Sequence, residues 1–104
     1  MYMETYILKR SDRKGKRFLI IMPDRGHSHH FGALPFEKGT YIDHKNDKIK
    51  KAWIARHKND KNYNNKHSGI YYSRHLLWGD SKNLKDNIKL LEKKDKIKIK
   101  IELN

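Results

Sequence analysis

Histidine and asparagine are the residues of this sequence that could do metal-assisted chemistry, and the 104-residue chain has seven histidines. In a His-Asn-His nuclease, one histidine activates water while the asparagine and a second histidine position a metal ion on the scissile phosphate. His44, Asn59 and His67 occur in this order. Such a motif needs a β-hairpin between its first histidine and its asparagine, whereas residues 49–57 have helical periodicity. We therefore expect no enzyme, and the nuclease is kept as a second alternative.

The densest group of histidines is the segment 27–30, which reads His-Ser-His-His. In an extended strand, His27 and His29 share one face and His30 lies on the other, so a zinc site would need a third ligand from elsewhere. The chain has no cysteine, which excludes disulfides, thiolate nucleophiles and cysteine-bound metal clusters. The sequence also has no glycine-rich phosphate loop. We expect neither a metal nor a cofactor.

Positive charge is the strongest chemical signal of the sequence. The 25 lysines and arginines exceed the 12 acidic residues and give a formal charge of +13. Cations concentrate in residues 9–17 and again in residues 45–58, where they could neutralise phosphates and give affinity without sequence specificity. The alternative explanation of the charge is an A/T-rich genome, which enriches lysine codons. In that case the lysines form only a solvated surface without a binding role. The candidate nucleic-acid contacts are Arg10, Arg13, Lys14, Arg17, Lys48 and Lys51.

Aromatic residues accompany the cations. Trp53, Tyr71, Tyr72 and Trp78 could stack on bases, but their helical spacing favours packing in the core. With 36% hydrophobic and 11% aromatic residues, the composition is that of a folded chain rather than a disordered one. At 104 residues, we expect one domain over residues 1–104.

The first half of the chain predicts three strands. Aromatic and β-branched runs at 5–10 and 17–22, joined by a polar turn that ends in Gly15, are typical of a β-hairpin. The Pro-Asp-Arg-Gly run at 23–26 closes the second strand. A third short strand is expected at 29–31, followed over 33–41 by an ordered loop that packs on the core.

Three helices and a final strand complete the predicted order. The period changes after the capping residues at 43–47, which predicts an amphipathic helix to residue 57 or 58. Ser68 begins a short second helix that ends near Trp78, and Ser81 is the expected N-cap of a third helix to about residue 94. Strict alternation over 96–103 predicts a strand. The fold class is α+β, β-β-β-α-α-α-β, with the helices on one face of a small antiparallel sheet formed by the N-terminal hairpin and C-terminal strand.

Several runs together resemble a family of small basic proteins encoded by nucleocytoplasmic large DNA viruses, relatives of the phycodnaviruses and mimiviruses. They are His-Phe-Gly at 30–32, the stretch at 41–47, the basic helix that includes Arg56-His57, Ser68-Gly69, and the run from Tyr72 to Trp78. The likeness covers about residues 29–90. The resemblance implies an uncharacterised family without established catalytic residues, and it favours a structural role for His57 in capping or in bonding the loop near Phe31.

These features define the expected function. The chain is predicted to be a virus-encoded, non-enzymatic basic protein that binds nucleic-acid backbone, DNA rather than RNA, in association with viral DNA or the virion. The first alternative is a minor capsid or cement protein that contacts acidic viral protein surfaces. The sequence has neither a signal-peptide pattern nor the ~18 apolar residues of a membrane span. We expect it in the virion, the viral factory or the host cytoplasm, not secreted and without a membrane partner.

Overall fold

The computed structural model describes residues 3–33 and 39–103, and it has the expected α+β fold. A 3-10 turn at Pro23–Arg25 follows the second strand, and a π-helical turn at Ser73–Leu77 continues the third helix. The strands and helices, in chain order, are β1 (Thr5–Arg10), β2 (Lys16–Met22), β3 (His27–Ala33), α1 (Tyr41–His44), α2 (Asp47–His57), α3 (Gly69–Tyr72), α4 (Leu84–Asp95) and β4 (Lys98–Glu102). The expected loop at 33–41 lies largely outside the described residues.

The N-terminal hairpin forms as the two aromatic and β-branched runs and the polar turn between them predict. Strands β1 and β2 pair antiparallel, with Leu8 opposite Ile20, and both of these side chains are fully buried. Ile7 and Leu19 alternate with them and are only half-buried on the opposite face. Strand β3 pairs antiparallel with β2 and is longer than expected. Gly26 takes a left-handed conformation (φ 64°) between the 3-10 turn and β3, a geometry that glycine adopts without steric cost.

The expectation of a wholly antiparallel sheet is wrong at one pairing. The strand order is β3-β2-β1-β4, and β4 runs parallel to β1. The direction of β4 follows from α4, because Lys96 in a left-handed conformation ends the helix and the chain doubles back immediately. The backbone N–H of Ile99 then donates to the Glu92 carboxylate at 2.8 Å. The hydrophobic alternation is the same for either direction, so it could not distinguish them.

The helices pack on one face of the sheet, as expected. The core between the two layers includes Leu8 and Ile20 from the sheet and Leu76, Leu77 and Leu91 from the helices. Burying each such side chain contributes about 1.5–3 kcal/mol. The core therefore depends mainly on the β1–β2 hairpin, on α4, and on α3 with the π-helical turn that follows it, which together are called the α3 segment (residues 69–77).

Two helix boundaries depend on asparagine. The first helix expected from the sequence is α2, and it begins after Asn46. The Asn46 side chain accepts hydrogen bonds from the backbone N–H groups of Lys48 and Ile49. Helix α4 begins after Asn83, not after Ser81. Ser81 does not cap the helix because its backbone N–H donates to Asn87 and its hydroxyl accepts from the N–H of Asn83.

Candidate nucleic-acid interface

Five of the six predicted contact residues are exposed, and four of these five also have no side-chain hydrogen bond within the described part of the chain. Arg13 and Lys14 lie in the turn between β1 and β2, and Lys48 and Lys51 lie on α2. Within residues 3–33 and 39–103, none of these four side chains forms an ion pair. Their charges are therefore available to phosphates or to another anion.

Arg17 instead makes an intramolecular bond. Its guanidinium donates to both oxygens of Asp43 at 2.7 and 3.0 Å, which ties the start of β2 to α1. Thr40 also donates to Asp43, from its backbone N–H and from its hydroxyl, both at 2.8 Å. Burial alone would raise the pKa of Asp43, but the bonds from Arg17 and Thr40 lower it to about 2. Arg17 thus acts mainly as a structural link.

Arg10 is also engaged. Its Nε donates to the backbone carbonyl of Leu103 at 2.6 Å, although the side chain remains exposed. The bond joins the end of β1 to the residue that follows β4. Arg10 and Arg17 are consequently weaker candidates for phosphate contact than Arg13, Lys14, Lys48 and Lys51, whose side chains make no hydrogen bond or ion pair within the described part of the chain.

Helix α2 lies on the molecule without a buried residue of its own. Ile49 and Trp53 pack against the core while remaining partly exposed. The Trp53 ring stacks on Trp78 with centroids 5.0 Å apart and planes at 10°, and it also packs on His57 at 4.4 Å. The helix therefore presents most of its lysines to solvent.

An open cavity of about 490 Å³ separates α2 from the end of β3 and the start of α3. Lys16, at the end of the basic β1–β2 turn, lines it from one side, and Trp53 and His57 line it from the other. A neighbouring cavity of about 400 Å³ is lined by Lys48 and Arg56. The two cavities share Gly39 and Trp78, so cations from the turn and from α2 surround one concave surface.

Most of the candidate stacking residues belong to the core, as their spacing predicts. Tyr71, Tyr72 and Trp78 are buried. The Tyr71 hydroxyl donates to Asp95, and the Tyr72 hydroxyl donates to the carbonyl of Lys66 at 2.8 Å. Burial raises the pKa of both tyrosines. Their faces are not available to bases.

The residues of the nuclease alternative lie in separate surroundings. The Nδ1 atom of His44 accepts from the backbone N–H of Asn46, and its ring packs on Trp78 at 5.4 Å. His67 instead packs against the β3 histidines, and Asn59 is exposed beyond α2. The structure thus does not bring the side chains of His44, Asn59 and His67 together into one site.

His57 makes a different contact from the hydrogen bond to the loop near Phe31 that the resemblance implies. Its ring packs on Trp53, and among the described residues it makes no side-chain hydrogen bond to the loop near Phe31. It does line the large cavity together with Phe31. Among the described residues the expected hydrogen bond is therefore not formed; the capping alternative is kept, since His57 lies in the last turn of α2, and its ring packs on Trp53 at a tilt of 38°.

Three histidines meet at the other end of β3. The ring centroids of His27 and His67 are 5.2 Å apart, those of His29 and His67 are 6.3 Å apart, and those of His27 and His29 are 6.5 Å apart. Burial lowers the pKa of His29, and the neighbouring His67 and His27 lower it further. The sequence pairs His27 with His29 by strand alternation, but no local pattern links them to His67.

Comparison with known proteins gives a family without a known activity. Residues 6–57 match the model of a family of unknown function (DUF5754), and the chain belongs to this family. The matched region contains the β-hairpin, β3 and α2, and so includes the basic turn and the helix that flank the cavity. Neither the curated proteins nor the solved structures include a match. Within the described residues, no helix is long and apolar enough to cross a membrane.

Proposed function

We propose that this protein binds nucleic-acid backbone without sequence specificity, with DNA as the expected partner, and that it is not an enzyme. The observation that carries the proposal is that four of the predicted contact residues are exposed and, within the described part of the chain, make neither an ion pair nor a side-chain hydrogen bond; two lie on the β1–β2 turn and two on α2. Lysine and arginine side chains that contact phosphates release counterions, which provides affinity that is independent of base sequence.

The link between Arg17 and Asp43 supports the proposal because it holds the two cationic elements in a fixed relation. Asp43 lies in α1, directly before α2, while Arg17 follows the basic turn. The turn and the helix flank the cavity that Lys16 and Trp53 line. A phosphate backbone that crosses this concave surface would meet Lys16 on one side and Lys48 and Arg56 on the other, with Lys14 in the adjacent turn and Lys51 on the same helix.

Fluorescence anisotropy with two unrelated DNA duplexes at several salt concentrations tests this proposal. We expect similar affinities for the two duplexes and a steep loss of affinity with salt. The double variant Lys48→Gln/Lys51→Gln should lower the slope of log K against log salt by about 2, because each lost phosphate contact removes about 0.9. Circular dichroism should show an unchanged fold, since both side chains are exposed.

A matched control removes two charges from another helix. Lys89 and Lys93 are exposed on α4, so Lys89→Gln/Lys93→Gln changes the net charge by the same amount. We expect this control to change the slope by less than half as much. Equal effects of the two double variants, or no binding at low salt, would refute the proposed surface.

The first alternative, a minor capsid or cement protein, has one structural observation in its favour. Strand β4 is an edge strand of the sheet, and Lys98 and Lys100 are exposed on it. An edge strand can pair with another chain, although lysines commonly prevent such pairing. If the chain is virus-encoded, it should leave purified particles with the DNA after nuclease treatment and disruption; retention in the shell would favour the capsid role.

A further inference from the structure

We propose that His27, His29 and His67 form a pH-sensitive contact between β3 and the His67 loop (residues 58–68), which joins α2 to α3. His67 lies against β3 while the three rings are neutral, and it separates from β3 as they take up protons. His27 lies opposite Met22 at one end of the β2–β3 ladder, whereas Lys16 lies at the other end. The contact is therefore distant along these strands from the proposed nucleic-acid interface and does not depend on it.

The backbone brings the three rings close together. His27 and His29 are two residues apart on β3 and therefore project from the same face of the strand. The His67 ring packs edge-on against both, with its centroid 5.2 Å from that of His27 and 6.3 Å from that of His29. The centroids of His27 and His29 are 6.5 Å apart. Because like charges at such distances repel, a proton on one ring opposes proton uptake by the other two.

A buried nitrogen makes the contact unfavourable for the charged form of His29. Its Nε2 atom is buried and has no hydrogen-bond partner within residues 3–33 and 39–103. Both nitrogens of an imidazolium carry a proton, so the charged ring would place a buried donor where no acceptor lies. Burial lowers the pKa of His29, and the neighbouring His67 and His27 lower it further. Proton uptake by His29 is therefore easier once the contact has opened to water.

The acidic groups near the cluster already have cationic partners. Glu4, whose charge acts on His67, accepts from Arg25 at 2.7–3.2 Å. Asp95 lines the same small cavity as His67, and it pairs with two lysines at 3.6 Å each. The other titratable groups on the surrounding elements are Tyr6, Asp24, Lys66, Tyr71, Tyr72 and Lys96. Glu4 and Asp95 thus do little to offset the repulsion among protonated histidines.

His67 can leave β3 without opening the core. None of residues 58–68 is buried, and His67 itself is exposed. The carbonyl of Lys66 accepts from the buried Tyr72 hydroxyl at 2.8 Å. This bond is a fixed point from which the His67 side chain can swing into solvent. Segments with few buried contacts open locally at a small cost in free energy, so the sheet and helices stay folded when His67 separates.

The direction of the pH dependence follows from the difference in proton binding. A histidine in water has a pKa of ~6.5, whereas the contact holds the pKa of His29 below its ordinary value. The open form therefore binds more protons than the closed form below pH 6.5. The contact should be complete above this pH and be lost progressively as the pH falls below it.

Nuclear magnetic resonance of the full-length chain tests the contact. At pH 7.5 we expect nuclear Overhauser cross-peaks between the ring protons of His67 and His27, and we expect these cross-peaks to be lost at pH 5. Spectra of the imidazole nitrogens follow each histidine separately, and the pKa of His29 should be below that of an exposed histidine. The variant His67→Gln should raise the pKa of His29, because it removes a neighbouring positive charge. His67 is exposed, so this variant should fold normally.

The matched control is His30→Gln. His30 is on the same strand but on the opposite face, where it bonds to Ser11, so this variant should leave the pKa of His29 unchanged. His75→Gln, in the π-helical turn, should still lose the cross-peaks at pH 5, which separates the contact from a general loss of stability. Cross-peaks that are absent at pH 7.5 or persist at pH 5 would overturn the proposal. An ordinary pKa for His29, or equal effects of His67→Gln and His30→Gln on it, would do the same.

Discussion

Helices α2 and α4 are similar in length and each has four lysine or arginine residues, yet they have different roles in the fold. Each begins after an asparagine whose side chain accepts from two backbone N–H groups. Helix α4 buries Asn87, Ile88 and Leu91, whereas α2 buries no residue. The difference indicates that stability depends on the layer of α4 and the α3 segment. Helix α2 contributes less to the core, and its Lys48 and Lys51 side chains are exposed without an ion pair in the described part of the chain.

The largest effect should come from Asn87, a polar residue buried between α4 and the preceding segment. Its side chain accepts from the N–H of Ser81 and donates to the carbonyls of Leu76 and Ser81, and it is 1% exposed. Asn87→Ala leaves these groups without partners and opens a cavity, so we expect a loss of about 3 kcal/mol in the free energy of unfolding.

Urea denaturation of the variant measures this loss. Asn64→Ala is the control, because Asn64 is exposed and the substitution should change stability by less than about 0.5 kcal/mol. A loss below about 1 kcal/mol for Asn87→Ala would contradict the assignment of stability to the α4 layer.

The next effect is the pH dependence that His75 confers on the same layer. Burial, with the nearby charges of Lys94 and Arg74, lowers the pKa of His75 to about 4. An unfolded histidine has a pKa of ~6.5, so the unfolded chain binds more protons between these two values. Stability should therefore be full above pH 6.5 and fall as the pH decreases towards 4. After allowing for partial exposure, we expect a loss of about 1–2 kcal/mol from pH 7 to 5.

Urea denaturation at pH 7 and pH 5 tests this dependence. His75→Gln should remove most of the difference between the two values, because glutamine does not titrate. Lys89→Gln, on the exposed face of α4, should keep the difference. If His75→Gln retains the wild-type pH dependence, His75 is not its source.

The smallest expected effect is the loss of stability when the asparagine N-cap of α2 or of α4 is replaced. Replacing an asparagine N-cap by alanine costs about 1 kcal/mol of helix stability. Helix α4 cannot open without exposing Ile88 and Leu91, so Asn83→Ala should lower global stability by the whole amount. Helix α2 can open locally, and we expect Asn46→Ala to lower global stability by less than about 0.5 kcal/mol.

Urea denaturation measures the global stability of each variant, and amide hydrogen exchange measures which part of the fold opens. In Asn46→Ala, exchange should accelerate mainly within α2, while Asn83→Ala should accelerate exchange throughout the core. Equal global losses would show that α2 is as firmly integrated as α4.

Local pattern was sufficient to predict most elements of the fold. The aromatic and β-branched runs around the turn that ends at Gly15 predicted the hairpin, and the spacing of Ile49 and Trp53 predicted α2. The N-cap of α4 was assigned to Ser81, because Ser81 and Asn83 are both capping residues and only the tertiary bond to Asn87 distinguishes them. The site was predictable as a set of cations, but their ion pairs were not. The link from Arg17 to Asp43 joins residues 26 apart, and no local rule predicts it.

The sequence by itself determined the net charge, the absence of cysteine chemistry and the α+β class, because composition and short-range periodicity fix these properties. Tertiary structure alone decided the parallel direction of β4, the stacking of Trp53 on Trp78, and the meeting of His67 with the β3 histidines. Side chains that are distant in sequence become neighbours only through the path of the chain. That path depends on how the helices pack on the sheet, which periods of two or 3.6 residues do not encode.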